Sequence, residues 1–199
     1  PTDQVGKSFG VLKLKGFPVE IALPRTEIKT GSGHKGFSIE VDPHLPFEQA
    51  ALRRDFTINA MGLDPLTGEI KDPFRGEDDL KEKILRHVST AFSEDPLRVL
   101  RGVQFAARFS LQAHSKTIEL CQEIELEGLA SERIFGEWKK LIIQGVSISK
   151  GLNFLRQTKW LRFFPELQAM VDCPQDPIWH PEGDVWTHTL HCLDSFAKK

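Results

Sequence analysis

Apolar and polar positions alternate near the start of the chain. "FGVLKLKG" steps between the two classes and "FPVEIALPR" forms a second apolar run, so residues 1–25 predict strands. "TEIKTGSGHKGF" is polar and glycine-rich and reads as a mobile loop, and "FSIEVD" behind it is a short strand candidate. "LPFEQAALRRDFTINAMGLD" opens with helical spacing and turns strand-like near Ile58 to Leu63. "DPLTGEIKD" puts Pro65 and Gly68 into a hairpin turn, and "GEDDLKEKILRHV" predicts a short helix running into a strand. From Ser93 onward the period becomes helical, over 94–109, 115–126, 131–143, 147–159 and 186–197. Ser93 is the expected N-cap of the first of these helices. Glu94 and Asp95 would sit in its first turn, where Pro96 is tolerated, and Ser131 with Glu132 marks another start. The pattern has no internal repeat. It predicts an α+β chain whose mixed part ends near residue 90 and gives way to an all-helical part.

Bulk numbers narrow this picture slightly. The 199 residues are 40% apolar and 27% charged, ordinary for a folded protein. No apolar run approaches the roughly 18–20 residues that span a membrane, and no signal-peptide pattern opens the chain. The chain begins at Pro1 and stops at "FAKK" within a helical pattern, so both ends are expected to be internal to a longer protein. Cys121, Cys173 and Cys192 are odd in number and form no C-x-x-C pair. That argues against a disulfide framework or a cysteine-rich zinc site and for a reducing cytoplasm. A net charge of −2 provides no global basic field, so a nucleic acid would have to be held by a local patch.

Gly31-Ser32-Gly33-His34-Lys35-Gly36 matches G-x-G-x-x-G by letter. A dinucleotide site needs a helix directly after that loop to present its N-terminus to the pyrophosphate, whereas the following residues are strand-like. The stretch also lacks the Lys-Ser/Thr ending of a P-loop, and a flexible loop is the expectation.

Two constellations carry chemistry. In the first, Arg53 and Arg54 precede Asp55 and Asn59. Guanidinium groups suit phosphate because they are planar, charged and multiply donating. Asp55 can accept from a ribose hydroxyl or hold an arginine fork, and Asn59 offers both donors and an acceptor. A surface Arg-Asp pair is the plain alternative. In the second, Asp95 and Arg98 stand i, i+3 on one helix face, and Arg101, Gln104 and Arg108 continue the stripe, while Leu97, Leu100, Val103 and Ala107 line a buried face. A fixed carboxylate beside a fixed guanidinium complements an exocyclic amino group next to an acceptor ring nitrogen, as cytosine and adenine present. Guanine and uracil would leave polar groups unpaired, at roughly 1–3 kcal/mol each. The alternative is a helix start with acids placed for the dipole and arginines on a solvated face.

Two further stretches are weaker. Asp72 to Leu80, "DPFRGEDDL", pairs Asp78 with Asp79 ahead of a helix, and a structural role is favoured over metal binding. His180 to Leu190, "HPEGDVWTHTL", gathers histidines and acids, and His188 heads a helix from which a neutral imidazole could bind metal.

Together these segments resemble the class II tRNA nucleotidyltransferase/poly(A) polymerase family. "RRDFTINAM" resembles its motif B, "DPFRGEDDL" motif C, "EDPLRVLRGVQFAARF" motif D, and "ERIFGEWKKL" the neck helix of motif E. "GSGHKGF" is similar to the loop of the bacterial CCA-adding type. The resemblance implies a partial polymerase-β-like nucleotidyltransferase head over 1–90, a helical neck for base recognition over 91–145, and the start of a body or HD domain over 146–199. It implies that Asp95 and Arg98 read the incoming base, that Arg54, Asp55 and Asn59 hold ribose and triphosphate, and that Arg101 and Gln104 assist. The substrates would be ATP and CTP, the cofactor Mg²⁺ and the partner a tRNA 3′ end. The alternatives are poly(A) or A-only addition and, from another class, a non-catalytic tRNA-binding module.

Three departures from the family pattern stand out. The glycine-rich "GG-x-V-R-D" segment and the Asp-x-Asp metal pair are missing, which leaves Glu20 as a weak candidate for a supporting carboxylate and predicts that the isolated chain is inactive. Gln104 stands where the family usually has arginine. "HPEGDVWTHTL" resembles the opening of an HD phosphohydrolase domain, with His188 its first ligand for a transition metal, but the HD doublet is absent.

Overall fold

The computed structural model describes residues 2–5, 11–29 and 37–197, with side chains over 12–24 and 41–197. Of the expected mobile loop, residues 30–36, with the Gly31–Gly36 motif, lie outside the described residues; its two ends are strand instead, Thr26 to Lys29 and Phe37 being held in an antiparallel pair. Alternation in the first segment produces an antiparallel three-stranded sheet of β1 (Thr2–Val5), β2 (Val11–Leu14) and β3 (Glu20–Ala22), in that order. Gly16 sits in the β2–β3 turn at φ +82°, a conformation that glycine adopts without steric cost. β4 (Arg25–Lys29) pairs antiparallel with β5 (Phe37–Val41). A strand therefore follows the glycine-rich stretch, and no helix is there to receive a pyrophosphate.

Next come α1 (Phe47–Ala51), a 3-10 turn at Thr57–Asn59, and the hairpin of β6 (Gly62–Leu63) with β7 (Ile70–Lys71). α2 (Gly76–Lys81) leads into β8 (Ile84–Leu85). The helical part follows. α3 (Leu97–Phe109) is joined through β9 (Gln112–Ala113), which pairs parallel with β8, to α4 (Ser115–Gln122). α5 (Ser131–Gln144), α6 (Ile148–Gln157), the short α7 (Pro165–Gln168) and α8 (Val185–Ala197) complete the order. α4 ends short of the expected residue 126.

The start of α3 differs from expectation. Ser93 belongs to a separate 3-10 turn, Thr90–Glu94, and its hydroxyl donates to the Thr90 carbonyl at 2.9 Å. Pro96 is the cause. The residue before a proline is pushed out of the helical region, and Asp95 is extended at φ −128°, ψ 106°. Asp95 therefore takes over the capping, its Oδ1 accepting from the Leu97 N–H at 3.0 Å.

α3 is the centre of the core. Leu97, Val99, Leu100, Val103, Phe105, Ala106 and Ala107 are all buried in a cluster that runs from Phe56 to Leu190. Phe56 meets Phe92 and Phe105 edge-on, at centroid distances of 5.2 and 5.9 Å. α6 crosses α3 at Gly151, where a Cβ would lie 2.4 Å from the Val103 carbonyl oxygen and 2.9 Å from Leu141 Cδ1. At the far end, the Trp160 indole N–H donates to the Cys121 carbonyl at 3.0 Å.

Two measurements check this core. Gly151→Ala drives a methyl group into a backbone carbonyl, and urea unfolding is expected to show a loss of about 1–3 kcal/mol; an unchanged midpoint would contradict the α3–α6 contact. Burial pushes the Cys121 thiol up to about 12, while Cys173 and Cys192 are exposed. An alkylating reagent is expected to label Cys173 and Cys192 in the native protein and Cys121 only after denaturation.

Candidate functional site

The first constellation folds around a buried carboxylate. Asp55 is 6% exposed. Its Oδ1 accepts from the Phe56 N–H at 2.9 Å and from Asn59 Nδ2 at 3.2 Å, and its Oδ2 accepts from Arg101 Nε at 2.5 Å. Asp55 thus holds Arg101 through its Nε, and through this contact the "RRDFTIN" segment is tied to α3. The Arg101 guanidinium also lies over the Phe105 ring, 5.2 Å from its centroid. Arg54 is exposed, and its guanidinium has no partner among the described residues.

The second constellation sits at the head of α3. Asp95 Oδ2 accepts from Arg133 Nη2 of α5 at 2.8 Å, while Oδ1 caps the helix. Arg98 donates from Nη1 to the Ala91 carbonyl at 2.6 Å and from Nη2 to the Arg53 carbonyl at 2.9 Å. The Asp95 carboxylate and the Arg98 guanidinium are therefore each held by other groups; the two residues are joined through the backbone, where the Arg98 N–H donates to the Asp95 carbonyl at 3.0 Å, and no bond between their side chains is among the described contacts. Arg133 escaped sequence reasoning. Its signal was its place in "ERIFGEWKKL", the segment that resembles a supporting helix.

Gln104 departs from the expected stripe. It is 1% exposed and lies on the buried face of α3, its Oε1 accepting from Arg108 Nη1 at 3.0 Å. A neutral amide suits that position because a buried cation would need a full counter-charge. Arg108 returns to the surface, 5.2 Å from the centroid of the Phe109 ring.

"DPFRGEDDL" is structural, as its sequence favoured. Asp72 caps α2 by accepting from the Gly76 and Glu77 N–H groups at 2.7 and 2.9 Å. Gly76 packs against Thr57, whose carbonyl oxygen would lie 2.2 Å from an added Cβ. Asp79, 4% exposed, accepts from Thr57 Oγ1 at 2.7 Å and from Arg86 Nε at 3.0 Å. Glu20 lies opposite Lys13 across β2 and β3 and forms an exposed ion pair with it at 2.8 Å.

At the C-terminal end, Glu182 Oε1 accepts from His188 Nδ1 at 2.5 Å and from His180 Nδ1 at 3.2 Å. The His188 imidazole above all, with the backbone and His180, lowers the Glu182 carboxyl to about 2. His188 Nε2 lies 3.3 Å from Cys192 Sγ. His180 and Glu182 were not singled out by sequence, although both stand in the quoted "HPEGDVWTHTL".

Comparison with known proteins fits this arrangement. Residues 6–86 match the Poly A polymerase head domain. Two curated relatives, each named Multifunctional CCA protein, come from Vibrio vulnificus (strain YJ016) and Acinetobacter baylyi. They are 43% and 42% identical over 202 residues and cover 98% of this chain. The chain spans about half the length of these relatives, 49% and 48%. Among solved structures, the Bacillus stearothermophilus CCA-adding enzyme in complex with CTP aligns with a TM-score of 0.63 at 26% identity, over 78% of this chain and 38% of that one. The Thermotoga maritima CCA-adding enzyme complexed with tRNA aligns with a TM-score of 0.60 at 27% identity, over 81% of this chain and 37% of that one. The α+β part has the polymerase-β-like nucleotidyltransferase head fold of these neighbours. The chain belongs to the tRNA nucleotidyltransferase/poly(A) polymerase family.

Proposed function

We propose that the protein adds CCA to tRNA 3′ ends from CTP and ATP, and that this chain carries the base-reading part of the site. The observation that carries the reading is the head of α3. Arg133 and the Leu97 N–H fix the Asp95 carboxylate, and two backbone carbonyls fix the Arg98 guanidinium. Each group keeps hydrogen-bonding capacity beyond those contacts. A carboxylate that accepts from an exocyclic amino group, beside a guanidinium that donates to a ring nitrogen, admits C and A and leaves G and U unpaired. Holding both groups before substrate arrives lowers the ordering cost of recognition. The complexes of related enzymes with CTP, with ATP and with tRNA support the same substrates.

Around this pair, Arg54 is the cation for the triphosphate, with Asn59 and Arg101 beside it. Asp55 serves them by holding Arg101 rather than by contacting ribose itself. Gln104 acts from the interior by holding Arg108. In-line nucleotidyl transfer calls on Mg²⁺ to activate the attacking hydroxyl and stabilise the departing pyrophosphate. The residues of this chain do not fit that pair of ions: the sequence contains no Asp-x-Asp, and Glu20 is paired with Lys13. The magnesium ligands are therefore assigned outside these 199 residues. His188 is the first ligand of a transition metal in the helical part. The proposed division is head over 1–90, neck over 91–145 and body from 146, and the proposed compartment is the cytoplasm.

Addition of A alone is the second reading, favoured by the match to the Poly A polymerase head domain. Competition binding to this chain separates the two. CTP and ATP are both expected to bind ahead of GTP and UTP; ATP binding with no CTP binding would favour the second reading, and equal binding of all four would reject both. The chain alone is expected to incorporate no CMP into a tRNA lacking CCA, and incorporation would show that it is catalytically complete.

Substitutions test the assigned roles. Asp95→Ala is expected to narrow the preference for C and A over G and U more than it weakens overall affinity, whereas Arg54→Ala should weaken all four nucleotides alike. The opposite pattern in the same competition assay would exchange the two roles. Arg101→Met strands the Asp55 carboxylate, and urea unfolding is expected to show a loss on the order of 2–3 kcal/mol.

A further inference from the structure

We propose that Arg108 and Phe109, at the end of α3, form a seat for one nucleotide of single-stranded RNA, the ring stacking on a base and the guanidinium holding a phosphate. The inference rests on the reading of the protein as one that acts on tRNA 3′ ends, and it assigns where the RNA strand lies against this chain.

The seat grows out of the stripe on α3. That helix carries three arginines, Arg98, Arg101 and Arg108, and no acidic residue. Guanidinium groups and rings alternate along it. Arg101 lies over Phe105, 5.2 Å from its centroid. Arg108 lies 6.0 Å from the same centroid and 5.2 Å from that of Phe109. Phe105 and Phe109, one helical turn apart, stack at 6.0 Å with 24° between their planes. Phe105 in turn meets Phe56 edge-on, which anchors the ladder in the core. The two rings differ in exposure, 7% for Phe105 and 40% for Phe109. Core packing accounts for the inner ring, whereas the outer one faces solvent beside a fixed cation.

Arg108 is fixed before any ligand arrives. The buried Gln104 accepts from its Nη1 at 3.0 Å, and the two rings hold the plane of the guanidinium. A guanidinium has five N–H donors, and this is the one side-chain hydrogen bond of Arg108 among the described residues. An open aromatic ring beside a preorganised guanidinium suits single-stranded nucleic acid: a base stacks on the ring, and a phosphate takes the remaining donors. Lys150 adds a second cation at the same end of α3, its Nζ donating to the Ser110 carbonyl at 2.6 Å. This is the kind of local patch that a chain of net charge −2 needs to hold RNA. Arg108 stands two turns, roughly 10 Å, beyond Arg101 and the groups proposed for the incoming triphosphate. The end of α3 is therefore open to the other substrate, the strand being extended.

The competing account is that Arg108 and Lys150 only answer the negative end of the helix dipole and that Phe109 only packs. Binding of a short fluorescein-labelled single-stranded RNA to the 199-residue chain, read by anisotropy across a salt series, separates the two. Oligocytidine and oligouridine are expected to bind alike, and a blunt RNA duplex more weakly. Phe109→Leu keeps apolar bulk without the ring and is expected to weaken binding roughly tenfold, while Phe109→Trp retains it. Arg108→Ala should reduce the slope of log K against log salt by about 0.7, the share of one phosphate on a single strand. CTP competition in Phe109→Leu is expected to match the unsubstituted chain, which separates this seat from the base reader at the head of α3. Circular dichroism checks that each variant folds. Absence of RNA binding, duplex binding as tight as that of the single strand, or full binding by Phe109→Leu would each overturn the proposal. An unchanged salt slope in Arg108→Ala would overturn its phosphate contact. RNA binding that depends on Phe109 in a chain with no preference among the four nucleotides would sustain the seat and reject the base reader.

Discussion

The buried pair of Asp55 and Arg101 is the constraint on which the rest of the structure depends. A carboxylate that is 6% exposed can stay charged only if its oxygens are satisfied, and here three donors do so: the Phe56 N–H, Asn59 and Arg101. Two of these come from its own segment and the third from α3. The pair therefore locks the end of the mixed α/β part to the first long helix. Phe56, the next residue, then enters the aromatic cluster with Phe92 and Phe105. Polar and apolar anchoring act on adjacent residues, so the segment cannot shift along α3 without stranding a charge or opening a cavity.

That lock sets the geometry at the head of α3. With the Arg53 carbonyl placed by the same segment, Arg98 finds a backbone acceptor on each side. Pro96 forces Asp95 out of the helix and makes it a cap, and Arg133 reaches across from α5 to hold its other oxygen. The close approach of α6 at Gly151 lets the helices pack tightly enough to keep these groups in place. The polar groups proposed for recognition thus rest on backbone carbonyls and glycine contacts in the interior.

The C-terminal cluster follows a similar logic on a smaller scale. Asp184 fixes where α8 begins, Gly183 permits the turn before it, and the result is a carboxylate between two imidazoles. In both places an aspartate cap at a helix start orients the polar groups beside it.

Much of this was legible in the sequence. The change of period near residue 93 located the helical part, and α3, α5, α6 and α8 follow the helical spacing to within a few residues. The strand after the glycine-rich stretch removed the dinucleotide reading for the reason its pattern suggested, since periodicity is a local property that burial on one face enforces. Residue types also singled out the segments now proposed to carry chemistry. What the sequence could not decide was which charge meets which. Asp55 and Arg101 are far apart along the chain, as are Asp95 and Arg133, and no local pattern encodes those pairings. The stripe of Arg101, Gln104 and Arg108 looked continuous on a helix considered alone. Neighbouring elements cover part of it, and Gln104 became an interior residue. Sequence by itself determined the elements and the family they resemble; the tertiary structure decided the partners, because long-range contacts, desolvation and close packing exist only once the helices have met.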